Sequence, residues 1–252
     1  KYTMDNASQK TGSFIQWLRS LLFWLLLAPL TLVFSTLVLL AFFLPIRARW
    51  FIISIWVRIV LWWLRVSCGL RFEVSGRENI PDTPAIVFSK HQSMWETIAL
   101  QSVFPPLIWV AKKELKWLPF FGWGLQLMKT IFINRGAGRS AVQQLVHQGT
   151  QRLDDGLWIV IFPEGTRVAP GTRGRYRIGG AVLGEQSGYP IVPVAHNSGE
   201  YWPRRSLMKL PGTIQMRIGK PVTTSDKSAQ EILDEVSGWI EAQMDEITST
   251  KD

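Results

Sequence analysis

The chain of 252 residues is 47% hydrophobic and only 19% charged, which excludes intrinsic disorder and leaves room for one α/β domain with an appendage. Its 28 Lys and Arg against 19 Asp and Glu give a net charge of +9, and nine of the basic but three of the acidic residues fall within residues 1–79. A single cysteine, Cys68, excludes an internal disulfide framework, and three histidines argue against a His-rich metal centre.

The first element is Leu21–Leu44, an uncharged run long enough for a bilayer-spanning helix. Pro29 interrupts it, and a proline inside a helix removes a hydrogen bond and bends or breaks the ladder. Lys10 and Arg19 precede the run and Arg47 and Arg49 follow it, so the positive-inside rule keeps both ends on the cytoplasmic side. Split at Pro29, residues 14–28 and 30–44 would each be about 22 Å long, short of a ~30 Å hydrocarbon core. A helical hairpin over 14–44, dipping into one leaflet, satisfies all three facts. A single span and a buried soluble helix pair are the alternatives.

Trp50–Val66 differs in kind. Its charges, Arg58 and Arg65, are seven apart and share a helical face, and Trp50, Trp56, Trp62 and Trp63 supply headgroup-level aromatics. The pattern predicts a basic interfacial helix on an anionic leaflet, with an ordinary core helix as the alternative. Residues 1–66 are thus expected to attach the protein to a membrane, and residues 67–252 to form the catalytic domain.

Beyond Gly69, short β-branched and aromatic runs bounded by Pro, Gly or Asp predict strands at 71–75, 85–89, 107–111, 130–134, 157–162, 191–195 and 213–218. Helices are expected at 94–103, 139–153, 178–187 and 228–247. The last carries Ile232, Val236, Ile240, Met244 and Ile247 on one stripe. Alternation of this kind predicts an α/β fold with a mostly parallel central sheet flanked by helices.

Three constellations carry chemistry. After the strand PAIVFSK come His91 and, five residues on, Glu96. Five steps of a continuous helix leave the two about 140° apart, so they meet only if His91 lies in the loop and Glu96 in the first helical turn. The carboxylate would then hold one imidazole nitrogen while the other acts as general base. Ser93-x-x-Glu96 also reads as a capping box, and spacing alone leaves both open. At the end of LWIVIF stands Phe162-Pro-Glu164-Gly165-Thr166-Arg167, a turn beyond a strand terminus where sheet ligands bind, with an arginine suited to phosphate. A tight turn with an outward ion pair explains it equally well.

The third constellation is Thr130-Ile-Phe-Ile-Asn134-Arg135-Gly136-Ala-Gly138-Arg139-Ser-Ala141. Its G-x-G-x-x-A imitates a dinucleotide fingerprint, but Arg135 and Arg139 crowd the glycines, and a phosphate-binding Arg135 is the better reading. Lys112 and Lys113 follow a strand as further phosphate partners or a solvated turn. The basic residues match no nucleic-acid motif, so no nucleic-acid partner is expected.

In order, His91-x4-Glu96, Phe132-Ile-Asn-Arg135, Phe162-Pro-Glu164-Gly165-Thr166-Arg167 and Ile191-Val-Pro-Val194 resemble the blocks of the PlsC-type lysophospholipid acyltransferase family, which includes the 1-acylglycerol-3-phosphate acyltransferases. The intervening stretch KKELKWLPFFGWGLQLMKTIFINR resembles the family's Lys-Glu-Leu…Pro-x-x-Gly segment. The likeness spans roughly residues 70–220. Two departures stand out: Glu96 where the family usually has Asp, and Arg177 where relatives often have Lys. The resemblance implies a membrane-bound enzyme of the bacterial inner membrane, its catalytic domain on the cytoplasmic face and no cofactor or metal required. It would transfer an acyl group from acyl-CoA or acyl-carrier protein to the sn-2 hydroxyl of lysophosphatidic acid, with lyso-ornithine lipid, another lysophospholipid or a glycolipid as alternative acceptors. His91 would be the base and Glu96 its partner. Lys113, Arg135, Glu164, Gly165, Thr166 and Arg167 would hold the acceptor's phosphoglycerol head.

Overall fold

The computed structural model describes residues 13–134 and 136–249. It opens with two long antiparallel helices, α1 (Phe14–Leu40) and α2 (Ile46–Cys68), packed on one another. The expected break at Pro29 does not occur, and α1 runs through it. A proline forfeits only its own N–H bond. Here the flanking turns are held by apolar packing of Phe23 and Leu27 against Val57, Val60 and Leu64. The reversal comes at Pro45, which starts α2 and accepts the N–H groups of Ala48 and Arg49 through its carbonyl. A proline costs nothing there, because the residue that precedes a helix donates no N–H to its ladder. The hairpin is therefore α1–α2 rather than two halves of 14–44, and the expected interfacial helix 50–66 is its second arm.

Both arms exceed the 22 Å deduced from a broken helix. At 1.5 Å per residue they measure about 40 and 35 Å. Along α2, Phe51, Ile55, Arg58, Trp62 and Arg65 form one outward stripe, while Val57, Val60, Leu64 and Cys68 face inward. Much of α1 is exposed and apolar, including Leu25, Leu32, Val33 and Leu40.

The remainder follows the expected alternation: β1 (Leu70–Ser75), β2 (Ile86–Ser89), α3 (Trp95–Val103), β3 (Leu107–Lys112), α4 (Phe121–Leu127), β4 (Ile131–Ile133), α5 (Arg139–Asp154), β5 (Trp158–Ile161), α6 (Gly179–Ser187), β6 (Ile191–His196), α7 (Ser198–Tyr201), β7 (Gly212–Ile218) and α8 (Ala229–Ser249). The strands form one sheet ordered β1-β7-β6-β2-β5-β3-β4. All neighbours are parallel except β6 and β7. The central strands are buried on both faces, which explains their unbroken apolar runs. Val87, Val160, Val192 and Val194 point to the side covered by α1, α2 and α3. Ile86, Phe88, Ile159 and Ile161 point to the side covered by α5, α6 and α8.

The hairpin belongs to this core. At one end of α1, the Gln16 side-chain amide donates to the carbonyls of Cys68 and Lys209, and Ser20 accepts the Lys209 N–H at 2.9 Å. The Lys209 ammonium sits 4.0–4.7 Å from the ring centres of Phe23, Trp24 and Trp202, and burial pushes its pKa down to about 7. At the far end, α4 packs on α1, and Arg49 donates to the Leu127 carbonyl at 2.6 Å. Held at both ends, α1 lies along the catalytic domain.

Candidate active site

The C-terminal ends of β2, β3, β4, β5 and β6 share one edge of the sheet, and the chemistry-bearing residues emerge there. His91 follows β2. Its Nδ1 lies 2.9 Å from Glu96 Oε1, and since a carboxylate only accepts, Nδ1 carries the proton and Nε2 keeps a lone pair. The imidazole is 12% exposed, enough for a reactant to reach it. One face stacks on Phe162 at 3.9 Å and 16°, and Phe162 stacks in turn on Trp109 at 5.9 Å and 11°. The ring's plane is fixed from both directions.

The two readings of Glu96 turn out to be compatible. Glu96 reaches back from the first turn of α3 to the N–H groups of Gln92 (2.9 Å) and Ser93 (2.8 Å), as a cap does, and the same oxygen holds His91. Its second oxygen accepts from the Ser198 hydroxyl at 3.0 Å. Burial of the carboxylate is complete and by itself favours the neutral acid. The hydrogen bond from His91 and the neighbouring positive potential outweigh it, so the pKa falls to about 2. Glu96 is a fixed anion behind the His91 ring.

The Glu164–Arg167 turn clamps His91 by its backbone. Glu164 Oε2 accepts the His91 N–H at 2.8 Å, and the Val168 N–H donates to the His91 carbonyl at 2.8 Å. The other Glu164 oxygen is 2.8 Å from the buried Lys90 ammonium, which is also 2.6 Å from Glu241 of α8. Tyr176 donates to Glu241 at 2.7 Å. Burial raises the Glu164 pKa, while Lys90 opposes the rise. The expectation that Glu164 grips the acceptor head is therefore corrected. Its side chain has no exposed surface and is already engaged by the His91 N–H and the Lys90 ammonium.

The remaining expected residues divide as follows. Gly165 has φ +68°, and a Cβ there would stand 2.7 Å from Arg177 Nε, so glycine is required for the turn and for the arginine laid over it. Thr166 is exposed. Arg167 is half-buried, and its Nε is buried without a hydrogen-bond partner among the described residues. Lys113 is exposed just beyond β3. Arg135 lies outside the described residues. His196, Ser198, Lys90 and Phe162 complete the site without having been singled out as site residues. His196 Nε2–H donates to the Lys90 carbonyl at 2.8 Å, and burial lowers its pKa. Lys90 was adjacent to His91 in the sequence, a signal in plain view, whereas Ser198 reaches Glu96 only through the fold.

An oriented imidazole whose Nε2 has no hydrogen-bond partner among the described residues, backed by an anion and followed at the same sheet edge by a turn carrying Arg167, is equipped to deprotonate a hydroxyl on an anionic substrate. The class this defines agrees with the sequence comparison. The Acyltransferase family model matches residues 71–197, half of the chain, and the chain belongs to that family; it is an acyltransferase. A Pseudomonas aeruginosa protein described as 1-acyl-sn-glycerol-3-phosphate acyltransferase is 43% identical over 244 residues, 94% of each chain. A Saccharomyces cerevisiae protein of the same description is 33% identical over 67% of this chain and 57% of that protein. The crystal structure of the 1-acyl-sn-glycerophosphate (LPA) acyltransferase PlsC from Thermotoga maritima superposes with a TM-score of 0.78 at 22% identity, covering 92% of this chain and 96% of the other. That likeness shows the fold.

Proposed function

We propose that the protein acylates the sn-2 hydroxyl of 1-acyl-sn-glycerol 3-phosphate from a thioester donor, acyl-CoA or acyl-carrier protein, giving phosphatidic acid. The observation that carries this is the His91–Glu96 pair at the sheet edge, its Nε2 without a partner among the described residues, with the turn that carries Arg167 bonded to the His91 backbone. His91 Nε2 takes the proton of the acceptor hydroxyl as that oxygen attacks the thioester carbonyl. Glu96 stabilises the imidazolium. The tetrahedral oxyanion collapses, the carbon–sulfur bond breaks, and the imidazolium returns its proton to the leaving thiolate. Arg167 and Arg135 bind the phosphate, with Lys113 and Thr166 at its edge. Gly165 shapes the turn.

In this reading residues 1–66 attach the enzyme to the bacterial inner membrane, with residues 67–252 as catalytic domain on the cytoplasmic face. The length of α1 and α2 and their apolar exposure support attachment. The anchoring of α1 at both ends favours a hairpin lying in one leaflet over a span. Mass spectrometry of products from purified protein, lysophosphatidic acid and a panel of acyl donors, with lyso-ornithine lipid as competing acceptor, tests the assignment. Phosphatidic acid as main product supports it. Preferential acylation of another acceptor replaces it.

A further inference from the structure

Resting on that membrane reading, we propose that residues 117–123, Trp-Leu-Pro-Phe-Phe-Gly-Trp, form a second lipid contact, an aromatic wedge seating the mouth of the active site on the anionic surface of a bilayer. The residues emerge just after β3, whose C-terminal end lies on the His91 edge of the sheet, and β3 carries Trp109 of the Trp109–Phe162–His91 stack. Trp117 is 70% exposed, and Leu118, Phe120, Phe121 and Trp123 are exposed with it. Five large apolar side chains within seven residues form a patch that water does not favour.

The patch is built, not loose. Gly122 lies so close to the Leu115 carbonyl that a Cβ would come within 2.2 Å of it, and the Gln126 amide donates to the Lys116 carbonyl at 3.1 Å. Phe120 sits at φ 59°, ψ −62°, with the Phe121 N–H bonded back to the Pro119 carbonyl at 2.6 Å. That is the strained form of the γ-turn, a conformation glycine would adopt more cheaply. A phenylalanine held there with its ring in solvent implies a use for the ring outside the fold.

Two features identify a lipid surface as the occupant. First, α4, which carries Phe121 and Trp123, packs on α1, so the patch continues the apolar surface of the hairpin. Second, Lys112, Lys113 and Lys116 border it, with the Lys116 ammonium 4.5 Å from the Trp117 ring centre. Tryptophan and phenylalanine beside lysines are suited to the headgroup level of an anionic leaflet.

The test uses the full-length protein in vesicles of phosphatidylethanolamine and phosphatidylglycerol. Cysteine is introduced singly as Leu118→Cys in the wedge, Val33→Cys on α1 and Glu235→Cys on α8, and labelled with an environment-sensitive fluorophore. Cys68 is buried and stays unlabelled. Lipids with a quencher on the acyl chain should extinguish most of the emission at 118 and 33 and little at 235. Quenching at 33 but not at 118 overturns the wedge and leaves the hairpin reading standing. Loss of quenching at both sites overturns both. Equal quenching at 118 in purely zwitterionic vesicles removes the anionic surface from the assignment.

Discussion

Replacing Glu96 by Gln separates the charge behind His91 from the shape that holds it. The carboxylate accepts from the His91 ring, from the N–H groups of Gln92 and Ser93, and from the Ser198 hydroxyl. In the glutamine variant one oxygen can keep the first three bonds. The new NH2 then takes the place of Oε2, which the Ser198 hydroxyl can face by rotating to accept. The loop therefore survives, and the melting temperature should move by only a few degrees. Catalysis does not survive. A hydrogen bond to a charged partner contributes roughly 1.5–3 kcal/mol, and a flipped amide would force the proton onto Nε2 and disable the base. The expected loss in kcat is about 10²- to 10⁴-fold, with acceptor KM little changed. Glu96→Asp should recover part of the rate if the shorter acid still reaches Nδ1. Initial rates on lysophosphatidic acid, with melting curves for the same samples, read both quantities. A folded Glu96→Gln protein with wild-type kcat would refute the dyad.

Other outcomes follow from the same contacts. Arg167→Ala should raise the acceptor KM about ten- to a hundredfold with the donor KM unchanged, and Arg167→Lys should restore it only partly because the bidentate fork is gone; a selective donor effect would reassign the residue to the thioester carrier. Lys90→Met leaves Glu164 and Glu241 without their shared cation and should cost about 3–5 kcal/mol of stability by denaturant titration, while adding Glu164→Gln should recover part of that. Acid should destabilise the protein in two stages, seen as melting temperature against pH. The buried His196 has a pKa below its usual 6.5, so the unfolded chain binds that proton first and stability falls as pH drops from 6.5. Glu96, at about 2 against 4.5, adds a second loss between those values. Glu164, raised by burial, works in the opposite direction; a melting temperature flat from pH 7 to 3 would contradict this ordering.

Seven strands and the four expected helices of the catalytic domain were legible because each is a short apolar run with its own punctuation, and the chain folds them in simple alternation. The hairpin was legible as a hairpin but not at its turn. Pro29 and Pro45 are the same residue type, and only packing across α1 and α2 shows which one the backbone tolerates inside a helix. Helix α4 escaped because LPFFGWGLQL has two glycines and no polar face to set a period. Within the site, His91, Glu96 and the Glu164–Arg167 turn stood out by type and spacing. The role of Glu164 did not, since a glutamate beside an arginine looks like a surface pair until its burial is known. Lys90 stood beside His91 in the sequence, but its pairing with Glu164 follows only from its burial, and Ser198 was hidden by a separation of 102 residues from its partner.

The contacts of Glu96 explain how an anion without solvent contact can stand behind the imidazole in the reaction proposed above. Complete burial of Glu96 would normally drive it neutral, and a neutral acid could not stabilise an imidazolium. The His91 ring is first among the groups that reverse this, with the N–H groups of Gln92 and Ser93 and the Ser198 hydroxyl beside it, and the run around them commits its other groups elsewhere. Lys90 gives its carbonyl to His196 and its ammonium to Glu164 and Glu241. His91 gives its N–H to Glu164 and its carbonyl to Val168. Gln92 and Ser93 give their N–H groups to Glu96, and the Gln92 side chain accepts from Gly199. With these groups engaged, the loop has little freedom to reorganise as charge moves onto the imidazole, and such preorganisation lowers the barrier more than a stronger but mobile base would. Lys90 thus stays with Glu164 and Glu241, and in the reaction proposed above His91 Nε2 is the group that exchanges a proton.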